Sequence, residues 1–176
     1  MSLDKLWSFP VRAEDIPADG AHFALEADAI VRAAVARATE ILEISRLTAE
    51  FDLSRQGRNT VRVVGAVSAS VRQTCVVTLE PMTNEIAEPI DLTFAPSSNP
   101  ATSGAEHAGG VEQESSEPLV DGAVDLGAIA AEALVLGIDP YPRKPDAVFA
   151  APATEDSGAH PFAALAALKK PDKEST

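Results

Sequence analysis

Strict alternation of apolar and polar residues is the feature that most limits how this chain can fold. In residues 47–54 every second residue is apolar: Leu47, Ala49, Phe51 and Leu53. Residues 61–71 repeat the pattern with Val61, Val63, Gly65, Val67, Ala69 and Val71. A period of two places these side chains on one face of a β-strand. Because the intervening residues 56–59, Gln-Gly-Arg-Asn, have turn chemistry, the two segments predict a long antiparallel hairpin with one buried face.

The predicted sheet extends beyond this hairpin. We expect a twisted antiparallel sheet that contains residues 46–55, 60–80 and 86–95. In this interpretation Val76, Val77 and Leu79 continue the second strand, and residues 81–84 form the next turn. Pro89 has no amide hydrogen to donate to a sheet, so its strand is predicted to lie at an edge or to contain a bulge.

Two short helices are predicted to cover the apolar face of this sheet, near residues 28–38 and 126–136. Both have apolar residues at helical spacing, and Asp28 and Asp125 stand where N-cap residues belong. The helices are needed there because an exposed face of valines would promote aggregation. The predicted fold class is therefore α+β, with the short helices packed on one face of the sheet.

Composition changes twice along the chain and sets the predicted domain boundaries. Residues 97–116 contain one large apolar residue, Val111, three glutamates and no Lys or Arg. Such a segment cannot bury enough apolar surface to offset its ordering entropy, so a disordered acidic loop is expected. Residues 1–147 are predicted to form a single α+β domain around this loop. Residues 148–176 are predicted to be a flexible tail with a short apolar motif at 160–170.

Charge and cysteine content narrow the classes of function. The formal net charge is −13, so the chain as a whole repels nucleic acid and favours a basic partner. One cysteine, Cys75, excludes an intramolecular disulfide. The first residues lack the apolar run of a secretion signal, and no stretch is long enough to cross a membrane. We therefore expect a cytoplasmic protein with no membrane partner.

No pattern of catalytic or metal-binding residues is visible. Cys75 and the three histidines, His22, His107 and His160, are too scattered for a zinc site. Cys75 lacks a neighbouring base and lies in a strand-like segment, so we interpret it as a buried structural residue rather than a nucleophile. We expect no enzyme activity, no catalytic residue, no metal and no cofactor.

The most basic stretch of the chain offers one candidate contact surface, formed by Arg55, Arg58, Arg62 and Arg72. Arg62 and Arg72 have even spacing within one predicted strand, so they lie opposite the valine face. Together with Arg58 at the turn they form a stripe that suits RNA phosphates. The simpler interpretation, an ordinary solvated sheet face, is the one we favour.

The apolar motif in the tail offers a second candidate surface. Its residues Phe162, Leu165 and Leu168 have helical spacing and follow a linker. A tethered apolar segment of this kind docks in a groove, either on its own domain or on a partner. The pattern does not distinguish these two alternatives.

Three segments, taken in order, resemble one protein family. They are VSASVRQTCVVTLEPMTNEI at 67–86, VDLGAIAAEALVLGIDPYPRKP at 124–145, and HPFAALAALKK at 160–170. This ordered set is similar to the large ribosomal RNA subunit accumulation proteins, the YceD family. The first segment resembles the family's central signature, here represented by Cys75, Glu80 and Pro81. Many members have Cys-x-x-Cys in that signature, whereas this chain has Thr78 in place of the second cysteine.

The resemblance implies a non-enzymatic factor for the accumulation or processing of large-subunit ribosomal RNA. The expected partner is a ribosomal protein or a large-subunit assembly intermediate, or rRNA itself. The alternative hypothesis is a general protein-interaction adaptor unrelated to the ribosome, because the acidic loop and the apolar tail would suit that role equally well.

Overall fold

The structure is a computed structural model that describes residues 6–57, 60–96 and 116–149. Its strands are β1 (Pro10–Arg12), β2 (Ala21–Glu26), β3 (Glu43–Gln56), β4 (Thr60–Thr74), β5 (Pro81–Ala95), β6 (Glu117–Pro118) and β7 (Ala123–Asp125). Its α-helices are α1 (Ala29–Ala38) and α2 (Leu126–Gly137), and a 3-10 turn follows β1 at Ala13–Asp15. The predictions for the loop at 97–116 and for the tail at 148–176 fall almost entirely outside the described residues.

Two sheets organise these strands. The larger has the order β2-β3-β4-β5-β6, in which the first four strands are antiparallel and β6 is parallel to β5. The smaller sheet pairs β1 with β7. Side chains from both helices and from the larger sheet belong to one hydrophobic core. The α+β prediction is therefore confirmed: a mostly antiparallel sheet with two helices packed on it.

The alternation in the sequence corresponds to the two faces of the sheet. In β3 and β4 the odd-numbered apolar side chains are almost completely buried, and the residues between them are mostly exposed. As predicted, Asp28 and Asp125 cap the two helices, accepting hydrogen bonds from the amides of Val31 and Ala128. Pro89 lies on an edge strand, because β5 pairs on its outer side only at Phe94 and Ala95.

The prediction for residues 75–84 is wrong. β4 ends at Thr74, residues 75–80 form a turn, and β5 begins at Pro81, directly opposite Thr74. The turn is closed by hydrogen bonds from the Cys75 amide to the Glu80 carbonyl and from the Leu79 amide to the Cys75 carbonyl, both 2.9 Å long. Pro142 and Lys144, far along the chain, support this turn. The local sequence does not show that support, and its β-branched residues favoured a strand instead.

Among the described residues no helix is long and apolar enough to cross a membrane. The longer helix, α2, has 12 residues. At a rise of roughly 1.5 Å per residue, such a helix spans well under the thickness of a bilayer.

Gly65 fixes the register of the central hairpin. It lies directly opposite Phe51, which is fully buried, and on the same face of the sheet. A Cβ atom at position 65 would lie 2.1 Å from the carbonyl oxygen of Glu50 and 2.8 Å from the Phe51 ring. The phenyl ring therefore occupies the space that only a glycine in the neighbouring strand leaves open.

We predict that Gly65→Ala destabilises the protein by about 3 kcal/mol, because the added methyl group must displace backbone as well as the Phe51 ring. Chemical denaturation followed by circular dichroism measures this change. Ala66→Val is the matched control, since Ala66 is the next residue of β4 and is exposed on the opposite face. Equal effects of the two substitutions would contradict this account of Gly65.

Candidate functional site

The predicted arginine stripe does not form one continuous basic surface. Arg62 and Arg72 lie on the exposed face of β4, as expected, but they are ten residues apart in one extended strand. At roughly 3.3 Å per residue that separation is about 33 Å. Arg55 belongs to the opposite face, where its Nη1 atom donates a 3.4 Å hydrogen bond to the carbonyl of Ile16. Arg58 lies outside the described residues.

The exposed arginines of the sheet are paired with carboxylates. Arg62 donates two hydrogen bonds to Asp91, of 3.0 and 2.7 Å, and the pKa of Asp91 is lowered chiefly by this contact. Arg46 lies 2.8 Å from Glu85. Hydrogen bonding from Ser70, and then from Arg46, lowers the pKa of Glu85. Arg72 lies 3.7 Å from Glu43.

This open face of the sheet, the face away from the two helices, has an excess of negative charge. Its described carboxylates outnumber its guanidinium groups by six to three: Glu26, Glu43, Glu50, Asp52, Glu85 and Asp91 against Arg46, Arg62 and Arg72. His22 adds a contact of 2.8 Å to Asp52. The surface is therefore suited to a cationic partner rather than to a phosphate backbone.

The signature residues meet a second segment of the chain at the turn 75–80. The sulfur of Cys75, which is fully buried, accepts hydrogen bonds from the amides of Thr78 at 3.5 Å and Lys144 at 3.4 Å. Lys144 also extends its ammonium group to Glu80 at 2.6 Å, and this hydrogen bond is the main reason that the pKa of Lys144 is raised. The amide of Val76 donates to the carbonyl of Pro142 at 2.9 Å. Two of the sequence segments that carry the resemblance are thus joined in space.

Hydrogen bonding also controls the ionisation of Cys75. The side-chain hydrogen bond with Thr78 is the largest influence, followed by the backbone amides of Lys144 and Thr78, and together they lower the pKa of the thiol from the usual 9.0 to about 6. Burial acts in the opposite direction but is outweighed. The sulfur therefore works as an acceptor that holds the turn against residues 142–144. Its lack of exposed surface argues against a role as a nucleophile, because reactive cysteines are at least partly exposed.

A groove lies between α2 and the outer edge of β5. Its volume is about 800 Å³. Apolar side chains line it, including Phe94, Ala133 and Leu136, together with the backbone edge of β5 near Pro89. Sequence analysis missed this groove, because its walls come from strands and a helix that are separated along the chain. The only local signal was that α2 is apolar at nearly every position. A helix that packs one side on a sheet needs apolar residues on that side alone.

We predict that the Cys75 thiol titrates near pH 6 in the folded protein and near its usual value when the chain is unfolded. Because folding lowers the pKa, the ionised sulfur stabilises the fold fully above the unfolded value. That contribution is lost as the pH falls through about 6. The ultraviolet absorbance of the thiolate measures both midpoints. In Cys75→Ser, which lacks this group, the free energy of unfolding should gain less between about pH 6 and pH 9. Identical midpoints in the folded and unfolded chain would refute this prediction.

A family model described as large ribosomal RNA subunit accumulation protein YceD matches residues 63–169, which is more than half of the chain. No curated protein and no solved structure matches the chain. The name of the family indicates a role in the accumulation of large-subunit ribosomal RNA. The resemblance predicted from the three segments is confirmed, and the chain belongs to the YceD family.

Proposed function

We propose that this protein is a non-enzymatic factor for the accumulation of large-subunit ribosomal RNA, and that it acts by binding a basic ribosomal protein or an assembly intermediate that contains one. The observation that carries the proposal is the excess of carboxylates on the open face of the sheet. A surface of this charge attracts lysine- and arginine-rich proteins and accelerates their association.

Direct binding of bare rRNA is the less favoured mechanism. Phosphate contacts require Lys and Arg side chains that release counterions from the nucleic acid. Arg62 and Arg72 already contact Asp91 and Glu43, so a phosphate group would have to compete with these carboxylates. A chain with a net charge of −13 adds a repulsive field to that competition.

The geometry around Cys75 supports a binding role rather than catalysis. A pKa near 6 is typical of activated thiols, but the sulfur is fully buried and its acceptor capacity is used by backbone amides. His22, the one histidine among the described residues, contacts Asp52 between β2 and β3 and does not accompany Cys75. A buried thiol with a lowered pKa and no histidine beside it in the described part of the chain supports a structural role for Cys75.

We predict that depleting the protein lowers mature large-subunit rRNA relative to small-subunit rRNA, and that ribosomal proteins co-purify with it. Glu26→Gln with Glu50→Gln should reduce this co-purification about three- to tenfold, since exposed charge pairs contribute up to ~1 kcal/mol each. Quantitative mass spectrometry of the purified complexes measures the change. Glu14→Gln with Glu40→Gln is the control, because it removes the same charge from residues outside the strands of the larger sheet.

Three results would contradict this proposal. An unchanged rRNA ratio after depletion would remove the ribosomal role. Partners unrelated to the ribosome would favour a general adaptor. Equal losses in both pairs of variants would show that the open face of the sheet does not contact the partner.

We also predict that the purified protein does not bind bare rRNA tightly, and that replacing Arg58, Arg62 and Arg72 with Gln leaves the weak residual binding unchanged. Titrations over a range of salt concentrations measure both properties. If these arginines instead bind phosphates, the slope of log affinity against log salt should fall by about one unit for each arginine replaced. Tight binding with that reduction in slope would establish a direct RNA interface.

A further inference from the structure

The groove between α2 and β5 has no occupant among the described residues. Leu136, at the end of α2, is 81% exposed, and Val120 beside β6 is 70% exposed. The outer edge of β5 has no strand partner within the described chain before Phe94. Exposed apolar side chains next to an open strand edge are a typical arrangement for docking a peptide segment.

We propose that the apolar segment of the tail, residues 160–170 of the same chain, docks in this groove. The inference does not depend on the proposed ribosomal function, and it can be tested with the purified protein alone. Phe162, Leu165 and Leu168 would be its anchors, since helical spacing brings these three side chains to one side of the segment.

Apolar character is the first point of agreement between segment and groove. The three anchors are the only large apolar side chains in residues 160–170, and alanines fill four of the other eight positions, including all those between the anchors. Alanines allow close approach to the wall formed by α2, where the groove is lined by Ala128 and Ala133. Larger anchors can then contact Leu136 and Phe94, which would otherwise face solvent or stay half-buried.

Charge is the second point of agreement. The residues that line the groove include five carboxylates and no Lys or Arg. Two of the five have other contacts: Asp91 binds Arg62, and Asp125 caps α2. The other three, Glu117, Asp121 and Glu132, have no ion pair within the described chain. The apolar segment ends in Lys169 and Lys170 and so supplies the complementary charge.

The tether is long enough for this contact. The described chain ends at Phe149, five residues after Lys144, which contacts Glu80 next to the start of β5. Pro89 is eight residues further along β5, or roughly 27 Å at 3.3 Å per residue. The residues from 150 to 161 can extend up to ~40 Å. A tether of this length also gives an effective concentration on the order of millimolar, so even a weak docking contact stays occupied.

A spin label in the tail tests the proposal. Ala167→Cys places the label opposite the three anchors by helical spacing, and the buried Cys75 is not accessible for labelling. In the full-length, ¹⁵N-labelled protein we expect selective broadening of the amide signals of Glu132 and Leu136. The broadening should disappear in Phe162→Ala with Leu165→Ala and in Leu136→Gln. It should persist in Ile30→Gln, the matched control, because Ile30 is 80% exposed on the other helix.

The opposite results are equally specific. Broadening that is absent from the groove, or that survives Leu136→Gln, would overturn the proposal. A mixture of ¹⁵N-labelled chains without the spin label and unlabelled chains with it should show no broadening. If it does, the groove binds the tail of a second copy and not its own. None of these outcomes bears on the rRNA ratio after depletion, so the proposed function is tested separately.

Discussion

The pairing of β3 with β4 is the interaction on which the other elements depend. Thirteen residue pairs join these strands, and one irregularity lies between Ile44 and Arg46. Because side chains alternate, a slip of one residue would exchange the buried and exposed faces along the whole hairpin. The ring of Phe51 over Gly65 prevents that slip, since no other position of β4 leaves the same space. Both the core beneath the helices and the acidic open face follow from this register.

Polar contacts of long sequence separation then attach the remaining segments to the hairpin. Asp125 is an example, because its carboxylate caps α2 and also accepts hydrogen bonds from Ser8 and from the amide of Phe9. Cys75 performs a corresponding task for the segment that follows α2, where its sulfur accepts a hydrogen bond from the amide of Lys144. Each group lies at an end of an element, where backbone amides lack partners of their own. Two single acceptors, each serving several donors, thus attach these segments to the rest of the domain.

The sequence predicted features that depend on local period and capping, and missed features that depend on distant contacts. The hairpin, the helix caps at Asp28 and Asp125 and the edge position of Pro89 each have a local physical signal. The turn at 75–80 lacked one, because the amides of Val76 and Lys144 that stabilise it have partners nearly seventy residues away. The separation of Arg55 from Arg62 was missed for a related reason. Beyond the irregularity in β3, its odd-numbered residues and the even-numbered residues of β4 lie on opposite faces of the sheet, so Arg55 and Arg62 are on different sides. They had been grouped only because the stretch is rich in arginine.

The extent of the family match has a consequence for how this fold tolerates change. The matched region begins at residue 63, within β4, yet the strand that completes its hydrogen bonding, β3, lies before that boundary. The backbone of Trp7 and Ser8 also crosses α2 at Gly127, where a Cβ atom would lie 2.8 Å from the Trp7 carbonyl. Residues 63–169 alone would leave β4 with an open edge and uncovered valines. The first third of the chain is therefore as indispensable to the architecture as the matched part. What it must supply is a pattern of inward and outward side chains, which many different sequences can provide.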